Sequence, residues 1–244
     1  MQKVIGVIPA RYGSTRLPGK PLLNIFGKPM IVHTYLNAKK SKLINELYVA
    51  TDHKDIADVI TNVGGNVLMT PSDLKSGSDR IAFAIKNINC DIVVNIQGDE
   101  PFINSEAIDL AITPLLEDKE VLVSTLITKI NDFSLLDDPN VVKVVKDTNN
   151  YALYFSRSRI PFIRDDKEKL DNYIFYKHLG LYVYRKNFLE KFVDLNNSYL
   201  ENCEKLEQLR ILENGYRIKC IETNYESISI DTIQDFEKIK NFKI

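Results

Sequence analysis

Cysteine is scarce in this chain of 244 residues, where Cys90, Cys203 and Cys220 lie far apart. Three scattered cysteines do not build a disulfide framework, which favours a reducing compartment. No apolar run approaches the ~18 residues of a transmembrane helix, and the amino terminus predicts a strand rather than a signal peptide. These absences predict a cytoplasmic protein without a membrane partner.

An excess of charge of either sign is also missing, since 32 Lys and Arg balance 33 Asp and Glu to a net charge of −1. Without a basic surface or a stripe of aromatic and basic residues, no nucleic-acid partner is expected. Any cationic site must be a local concentration. The chain also lacks internal repeats and low-complexity segments, so a single domain over 1–244 is predicted, with an elaboration at about 121–200.

Strand and helix patterns alternate over the first 120 residues. Strands are predicted at 4–8, 47–50, 67–69 and 92–96, and helices at 29–40, 53–63, 80–88 and from Ser105 onwards. Thr51 and Asp52 are predicted to cap the second helix. This alternation predicts a parallel sheet with crossover helices.

The second half has a different pattern. Strands are predicted at 121–129, 178–185, 218–222 and 228–230, a hairpin at 141–155, and helices at 186–194, 204–213 and after Asp231-Thr232. The hairpin and the basic loop 156–166 are expected at one edge of a mainly parallel mixed sheet. Because a sheet edge can pair with a second subunit, a homodimer is expected.

A basic loop follows the first predicted strand and carries Arg11, Ser14, Arg16 and Lys20. Loops at the carboxyl ends of strands are where open α/β sheets bind ligands. Three cations, a hydroxyl and the N–H groups of a glycine-containing loop suit a polyanion. The leading hypothesis is a nucleoside triphosphate, and the alternative is a solvated basic turn.

Two aspartates each follow an apolar run. Asp99 comes after 92–96 and is preceded by Gly98, which allows close backbone approach; Asp231 comes after 228–230. Carboxylates combined with phosphate oxygens are typical Mg²⁺ ligands. For Asp231, a helix N-cap explains the residue equally well.

Other polar residues have less specific patterns. Arg157, Arg159 and Arg164 form either surface charge or a carboxylate-binding cluster. His178, taken alone, is more often structural than catalytic. Glu207 and Gln208 lie in a predicted helix, where helical surface is the default interpretation.

Several motifs together resemble one family. The strings are IPARYGSTRLPGKPL beginning at Ile8, ATDHKDI at 50–56, SGSDR at 76–80, NIQGDEP at 95–101, ALYFSRSRIPF at 152–162, HLGLYVYR at 178–185, EKLEQLRILENG at 204–215 and SISIDT at 227–232. Over nearly the full chain, they resemble the 3-deoxy-manno-octulosonate (KDO) cytidylyltransferases, also called CMP-KDO synthetases. The CMP-sialate synthetases usually have Asn where this chain has Pro21. In the sugar-phosphate nucleotidyltransferases, a glycine-rich run replaces Pro9-Ala10-Arg11.

The resemblance implies an α/β, three-layer, Rossmann-like nucleotidyltransferase fold and the formation of CMP-KDO and pyrophosphate from CTP and KDO, for lipopolysaccharide biosynthesis. It implies that the nucleotide is bound by Ala10, Arg11, Ser14, Arg16, Lys20, Thr51, Asp52, Ser76 and Gly77. The implied sugar-binding residues are Arg80, Gln97, Arg157, Arg164, His178, Tyr182, Glu207 and Gln208. The implied Mg²⁺ ligands are Asp99 and Asp231, which form the catalytic set with Arg16 and Lys20.

Two alternatives stay open at this point. The same reaction with a related acid sugar, such as an amino analogue of KDO or a sialic acid, needs the same residue types. A regulator that binds CTP without chemistry predicts binding without turnover, although the presence of both aspartates disfavours it.

Overall fold

The computed structural model describes residues 2–13, 17–165, 170–226, 228–230 and 232–240. The elements of the first half are β1 Val4–Ala10, β2 Asn24–Ile25, β3 Lys28–Pro29, α1 Met30–Ala38, β4 Glu46–Thr51, α2 Lys54–Thr61, β5 Asn66–Met69, α3 Gly77–Ile85, β6 Ile92–Asn95 and α4 Ser105–Glu117. Those of the second half are β7 Val123–Lys129, β8 Lys143–Lys146, β9 Ala152–Ser156, β10 Tyr176–Arg185, α5 Lys186–Val193, α6 Tyr199–Glu204, α7 Leu209–Glu213, β11 Lys219–Glu222 and α8 Ile233–Lys240.

The main sheet follows the strand order β11-β7-β10-β6-β1-β4-β5. Strand β1 pairs in parallel with β4 and β6, while β10 runs antiparallel to both β6 and β7. The predicted α/β class with a mainly parallel mixed sheet is therefore confirmed. The strand predicted at 178–185 is the antiparallel one and lies inside the sheet, where it joins the two halves of the chain.

Apolar side chains cover both faces of the sheet. Val4 and Ile8 of β1 belong to one buried cluster, which the helices α1, α2 and α4 complete. Ile5 and Val7, which alternate with them, belong to a second cluster with α3, α5 and α7. A strand buried on both faces reads as a continuous apolar run, which is why β1 was recognisable from sequence.

The predicted hairpin is present as β8 and β9, and its outer edge is paired. Strand β8 pairs with the first part of β10. Where β9 begins, the Ala152 N–H donates to the Ile218 carbonyl (2.9 Å) and the Cys220 N–H donates to the Asn150 carbonyl (2.8 Å). The hydrogen-bonded path β7-β10-β8-β9 thus returns to β11, which itself pairs with β7.

Two helix starts differ from the sequence prediction. His53, rather than Thr51-Asp52, caps α2, because its Nδ1 accepts the Asp55 N–H (3.3 Å). Helix α3 begins at Gly77, three residues earlier than predicted, because Ser76 and Asp79 form a reciprocal capping box there.

Two predictions in the last third of the chain are wrong. The single helix predicted at 204–213 is two short helices, α6 and α7, separated at Lys205 by a left-handed backbone (φ 53). Residues 228–230 form no strand. Instead, the Ile230 N–H donates to the Asp99 carbonyl oxygen (3.0 Å) and fixes this segment beside the end of β6.

Lys143 on β8 is a fully buried cation. Its ammonium donates to the carbonyl oxygens of Asp138 (2.9 Å), Val141 (2.7 Å) and Arg157 (2.5 Å). Three donors matched to three acceptors offset part of the cost of burial, although burial still lowers the Lys143 pKa. The residue ties the start of the hairpin to the basic loop after β9.

Replacement of Lys143 by methionine is expected to lower the free energy of unfolding by roughly 3 kcal/mol, because three partly buried carbonyl oxygens lose their donor. For a chain of this size, thermal unfolding monitored by circular dichroism should show a Tm lower by about 6–12 °C. Lys146→Met is the matched control, since Lys146 lies on the same strand with an exposed ammonium that donates to Asn150. Equal melting temperatures for the two variants would contradict this assignment.

None of the described helices is both long enough and apolar enough to cross a bilayer.

Candidate functional site

A cavity of about 270 Å³ lies where β1 and β6 end and α3 begins. Eight residues singled out from the sequence line it: Ala10, Arg11, Lys20, Ser76, Gly77, Arg80, Gln97 and Asp99. The carboxyl ends of parallel strands meet at one edge of the sheet, so segments distant in sequence converge there. The structure therefore brings most of the expected nucleotide-binding residues and one expected metal ligand to one place.

The central contact of the cavity is an ion pair between Lys20 and Asp99. Lys20 Nζ lies 2.7 Å from Asp99 Oδ2, and both side chains are largely shielded from solvent. Gly19, with φ 69, turns the chain directly before Lys20 and starts a short 3₁₀ turn. A charge-assisted hydrogen bond in such surroundings fixes both groups more firmly than a surface ion pair.

Gly98 allows the end of β6 to approach the end of β1. A Cβ atom at this position would lie 2.9 Å from the Pro9 carbonyl oxygen, closer than real Cβ atoms come to backbone. The expectation that Gly98 permits close backbone approach beside Asp99 is confirmed.

Three catalytic or phosphate-binding predictions concern Ser14, Arg16 and Asp231, which lie outside the described residues. On either side of Asp231, Ile230 is bonded to the Asp99 backbone, and Thr232 accepts the Asp235 N–H at its hydroxyl (3.2 Å). The Thr232 N–H in turn donates to the Asp235 carboxylate (3.0 Å). Thr232 thus supplies the helix cap, and the metal role of Asp231 stays a prediction.

The start of α3 forms one wall of the cavity. Its capping box commits Ser76 and Asp79 to each other, with the Ser76 N–H donating to Asp79 Oδ2 (3.0 Å) and the Asp79 N–H donating to Ser76 Oγ (3.1 Å). Gly77 follows, and a Cβ there would lie 3.5 Å from Pro9 Cγ. The helix end therefore packs closely against the end of β1.

Arg80, expected on the sugar side, lies in the cavity with the nucleotide-side residues. Its buried guanidinium forms an ion pair with Asp52 (3.3 Å) and donates to Thr70 and to the Pro71 carbonyl oxygen (3.2 Å). Asp52 is not itself a lining residue of the cavity and contacts the lining through Arg80. Thr51 is buried at the end of β4, where its hydroxyl accepts the His53 N–H (3.2 Å).

Comparison with known proteins identifies the family. A cytidylyltransferase family model matches residues 5–239. A 3-deoxy-manno-octulosonate cytidylyltransferase of Geotalea uraniireducens is 50% identical over 97% of this chain and 97% of its own length. The enzyme of the same name from Chloroherpeton thalassium is 50% identical over 98% of this chain and 96% of its own length. The chain belongs to the 3-deoxy-manno-octulosonate cytidylyltransferase family.

Solved structures agree with this family assignment. A CMP:2-keto-3-deoxy-manno-octonic acid synthetase solved as a complex with CTP matches with a TM-score of 0.91 and 38% identity, over 98% of this chain and 97% of the other. A cytidylyltransferase from Leptospira borgpetersenii has a TM-score of 0.63 and 22% identity, over 98% of this chain and 86% of the other, and shares the fold alone. The predicted nucleotidyltransferase fold is thereby confirmed.

In this cytidylyltransferase, β10 carries two of the residues expected to contact the sugar. The rings of His178 and Tyr182 lie 5.2 Å apart, and Phe155 packs edge-on against His178 at 5.2 Å. The buried Tyr182 hydroxyl has no hydrogen-bond partner among the described residues. Gln97 links the cavity to this strand, because its side-chain amide donates to the Gly180 carbonyl oxygen (3.0 Å).

His178 is neutral at physiological pH, since desolvation lowers its pKa to about 3. Its Nε2 lies 3.0 Å from Thr125 Oγ1, a hydroxyl that also lies 3.2 Å from the Leu179 carbonyl oxygen and 2.8 Å from the Leu181 carbonyl oxygen. The neutral imidazole carries one N–H, so one ring nitrogen donates a hydrogen bond and the other accepts one.

Glu207 and Gln208 lie in the turn between α6 and α7, not on a helix as predicted. Gln208 is buried. The Glu207 carboxylate accepts a hydrogen bond from the Ser78 hydroxyl (2.7 Å) on α3, and burial raises the pKa of Glu207. Glu207 also borders an open cleft of about 1380 Å³ that shares Ser76 with the cavity. The turn is therefore adjacent to the nucleotide-side wall.

Besides Arg80, two more arginines were expected at the sugar, and they have different contacts in this structure. Arg157 donates to the carbonyl oxygens of Glu204 (2.7 Å), Pro139 (2.7 Å) and Lys205 (3.4 Å), which anchors the turn before Glu207. Arg164 is 88% exposed and forms an ion pair with Asp165 (3.4 Å). Neither arginine lines the cavity. Arg159 forms an ion pair with Asp137 (2.5 Å).

Sequence reasoning missed the buried residues that hold these groups. Ser78, the donor to Glu207, lies inside the SGSDR string but is not among the expected site residues. Thr70, which accepts a hydrogen bond from Arg80, lies in none of the motifs. A small hydroxyl residue beside a predicted helix start was the one available signal, and helix capping explains it equally well.

Proposed function

We propose that this chain activates KDO with CTP, giving CMP-KDO and pyrophosphate. The observation that carries the proposal is the Lys20–Asp99 ion pair in a cavity walled by the ends of β1 and β6 and the start of α3. Relatives of this name at about half identity over nearly their whole length support it. The similar structure solved with CTP supports the nucleotide.

Cations of the first loop hold the triphosphate in this proposal. Lys20 and Arg11 line the cavity, and Ser14 and Arg16 come from the same loop in sequence. Ala10, Thr51, Asp52, Ser76 and Gly77 form the cytosine and ribose side. Charge neutralisation and positioning are the main tasks of a protein in this type of transfer.

Asp99 and Asp231 hold Mg²⁺ in this proposal. The Asp99 carboxylate suits this ion, because it is a hard oxygen donor that lies in the cavity wall with 27% of its side chain exposed. Mg²⁺ held by one or two carboxylates would take phosphate oxygens of the substrate as further ligands. Mg²⁺, when bound, polarises the α-phosphate and lowers the pKa of the attacking hydroxyl.

The sugar acid lies next to the nucleotide in this proposal, towards β10 and the Glu207 turn. The imidazole of His178 and the buried hydroxyl of Tyr182 form hydrogen bonds with sugar hydroxyls. Glu207, Gln208 and Gln97 recognise further hydroxyls, while Arg80, Arg157 and Arg164 supply positive charge near the KDO carboxylate. Arg157 acts through the turn that it anchors.

The reaction is an in-line displacement. The anomeric hydroxyl oxygen of KDO forms a bond to the α-phosphorus of CTP, and the bond from that phosphorus to the oxygen bridging to the β-phosphate breaks. Lys20 and Arg16 neutralise the departing pyrophosphate. The hydroxyl proton passes to solvent, and no side chain is assigned as a general base.

The assembly and the location belong to the same proposal. The chain forms a single nucleotidyltransferase domain, acts in the cytoplasm and associates as a homodimer through the region around the hairpin.

The function is tested by pyrophosphate release from the purified chain, with each nucleoside triphosphate, with and without KDO and Mg²⁺. Release is expected with CTP only when KDO and Mg²⁺ are both present. Faster release with a sialic acid or an amino analogue of KDO would transfer the assignment to that sugar. If the chain bound CTP but released no pyrophosphate with any sugar acid, the proposed enzymatic function would be wrong and a CTP-binding regulator would be the supported alternative.

A further inference from the structure

The side chain of Ser78 is buried between the start of α3 and the turn that carries Glu207. It lies in the first turn of α3, 1% exposed, directly after Gly77 of the cavity wall. Its Oγ donates to Glu207 Oε2 at 2.7 Å across 129 positions of sequence. One helix turn thus contacts both the nucleotide side and the Glu207 turn.

The Glu207 carboxylate is weakly compensated by charge. The nearest cation is Arg210, with Nη2 4.0 Å from Glu207 Oε1. That guanidinium is committed to Glu201, to which it donates at 2.8 and 2.5 Å. Asp79 on α3 adds an unfavourable negative charge nearby. Two hydroxyls at the start of α3 therefore donate to Glu207, those of Ser78 (2.7 Å) and Ser76.

A purely structural role explains this arrangement poorly. A carboxylate with only 33% of its side chain exposed is costly to hold unless it is paired with a cation, and two hydroxyl donors offset only part of that cost. The buried Glu201–Arg210 pair already joins α6 to α7. Glu207 borders the open cleft next to the cavity, which is the position of a group that meets a ligand.

We propose that Ser78 is a positioning residue that holds the Glu207 carboxylate towards the sugar acid and couples its placement to the helix end lining the nucleotide cavity. This inference rests on the proposed function, in which Glu207 binds a sugar hydroxyl. It predicts that Ser78 affects the sugar acid through Glu207 and leaves CTP binding largely unchanged.

The pH dependence follows from the same contact. Burial raises the pKa of Glu207, while the hydrogen bonds from Ser78 and Ser76 and the charge of Arg210 oppose this rise and Asp79 adds to it. Tyr182 and Tyr184 of β10 also interact with Glu207. Without the Ser78 hydroxyl, the pKa of Glu207 rises further, so the carboxylate ionises at higher pH. The acid limb of kcat/KM for KDO should therefore move to higher pH.

The test is steady-state kinetics of Ser78→Ala. The KM for KDO is expected to rise about tenfold or more, as for loss of a hydrogen bond to a charged group. The KM for CTP should stay within about twofold of the wild type, and Ser78→Thr, which keeps the hydroxyl, should recover most of the loss. Ser124→Ala is the matched control, because Ser124 is equally buried and its Oγ donates to the Ala111 carbonyl oxygen instead.

A double-mutant cycle separates the outcomes. In a Glu207→Gln background, Ser78→Ala should have little further effect on the KDO KM or on the acid limb. Additive effects, or an equal rise of both Michaelis constants, overturn the proposal. If Ser78→Ala does not fold, Glu207→Gln alone decides, since an unchanged KDO KM and pH profile also overturn it. Failure of the proposed function can be told apart from failure of the Ser78 proposal, because in the first case the wild-type chain itself would release no pyrophosphate with KDO.

Discussion

Asp99→Asn is expected to lower the rate of pyrophosphate release by roughly a hundred- to a thousandfold. Asparagine keeps the size of the side chain but removes the negative charge that the proposed Mg²⁺ site and the Lys20 ammonium need. The rate is measured with saturating CTP, KDO and Mg²⁺, and circular dichroism verifies the fold.

The matched control for this variant is Asp58→Asn. Asp58 forms an ion pair with Lys54 at 2.6 Å on the surface of α2 and is not one of the residues that line the cavity. The control loses the same charge and should retain nearly full activity. An Asp99→Asn variant as active as Asp58→Asn would remove Asp99 from catalysis.

Lys20→Met is expected to reduce kcat/KM for CTP by roughly a hundredfold or more, since a buried cation facing a triphosphate is lost. The loss should appear in both the KM for CTP and kcat, because the charge of the leaving pyrophosphate exceeds that of the bound ground state. Initial rates at varied CTP give the two constants separately.

Lys54→Met provides the comparison for the lysine. Lys54 is 83% exposed on the side chain, so its ion pair contributes little in water. Equal kinetics for Lys20→Met and Lys54→Met would be incompatible with phosphate binding by Lys20. If Lys20→Met raised the KM for CTP and left kcat unchanged, Lys20 would bind CTP in the ground state without stabilising the transition state.

The expected convergence of the first loop and Asp99 could be predicted because it follows from strand order. Apolar runs such as 4–8 and 92–96 identify buried parallel strands, whose carboxyl ends share one edge of the sheet. The glycine before Asp99 indicated close approach, and the Pro9 carbonyl oxygen is the atom approached. These features depend on local pattern and on general topology.

The turn carrying Glu207 was not predictable in the same way. Leu206, Leu209 and Leu212 have helical spacing, but the left-handed backbone at Lys205 separates two helices. The carbonyl oxygens of Glu204 and Lys205 are held by Arg157, about 47 positions earlier in the chain. A local pattern cannot report an interaction that distant in sequence.

The direction of β10 and the burial of Lys143 have a similar explanation. Alternation of polar and apolar residues shows that 178–185 is a strand but not whether it runs parallel to its neighbours. Lysine is almost never fully buried, so sequence assigns it to the surface. Only the three carbonyl oxygens that surround its ammonium make the buried position stable.

The return of the β8–β9 hairpin to β11 has a consequence for motion. Because the amides of Ala152 and Cys220 bond across this junction, the hairpin cannot peel away without breaking pairing on two sides. Those two amide protons should exchange with deuterium about as slowly as the protons of the central strands. His178 and Tyr182 lie on β10, which pairs with β7 and β8, so we expect slow exchange to extend to the strand that carries them.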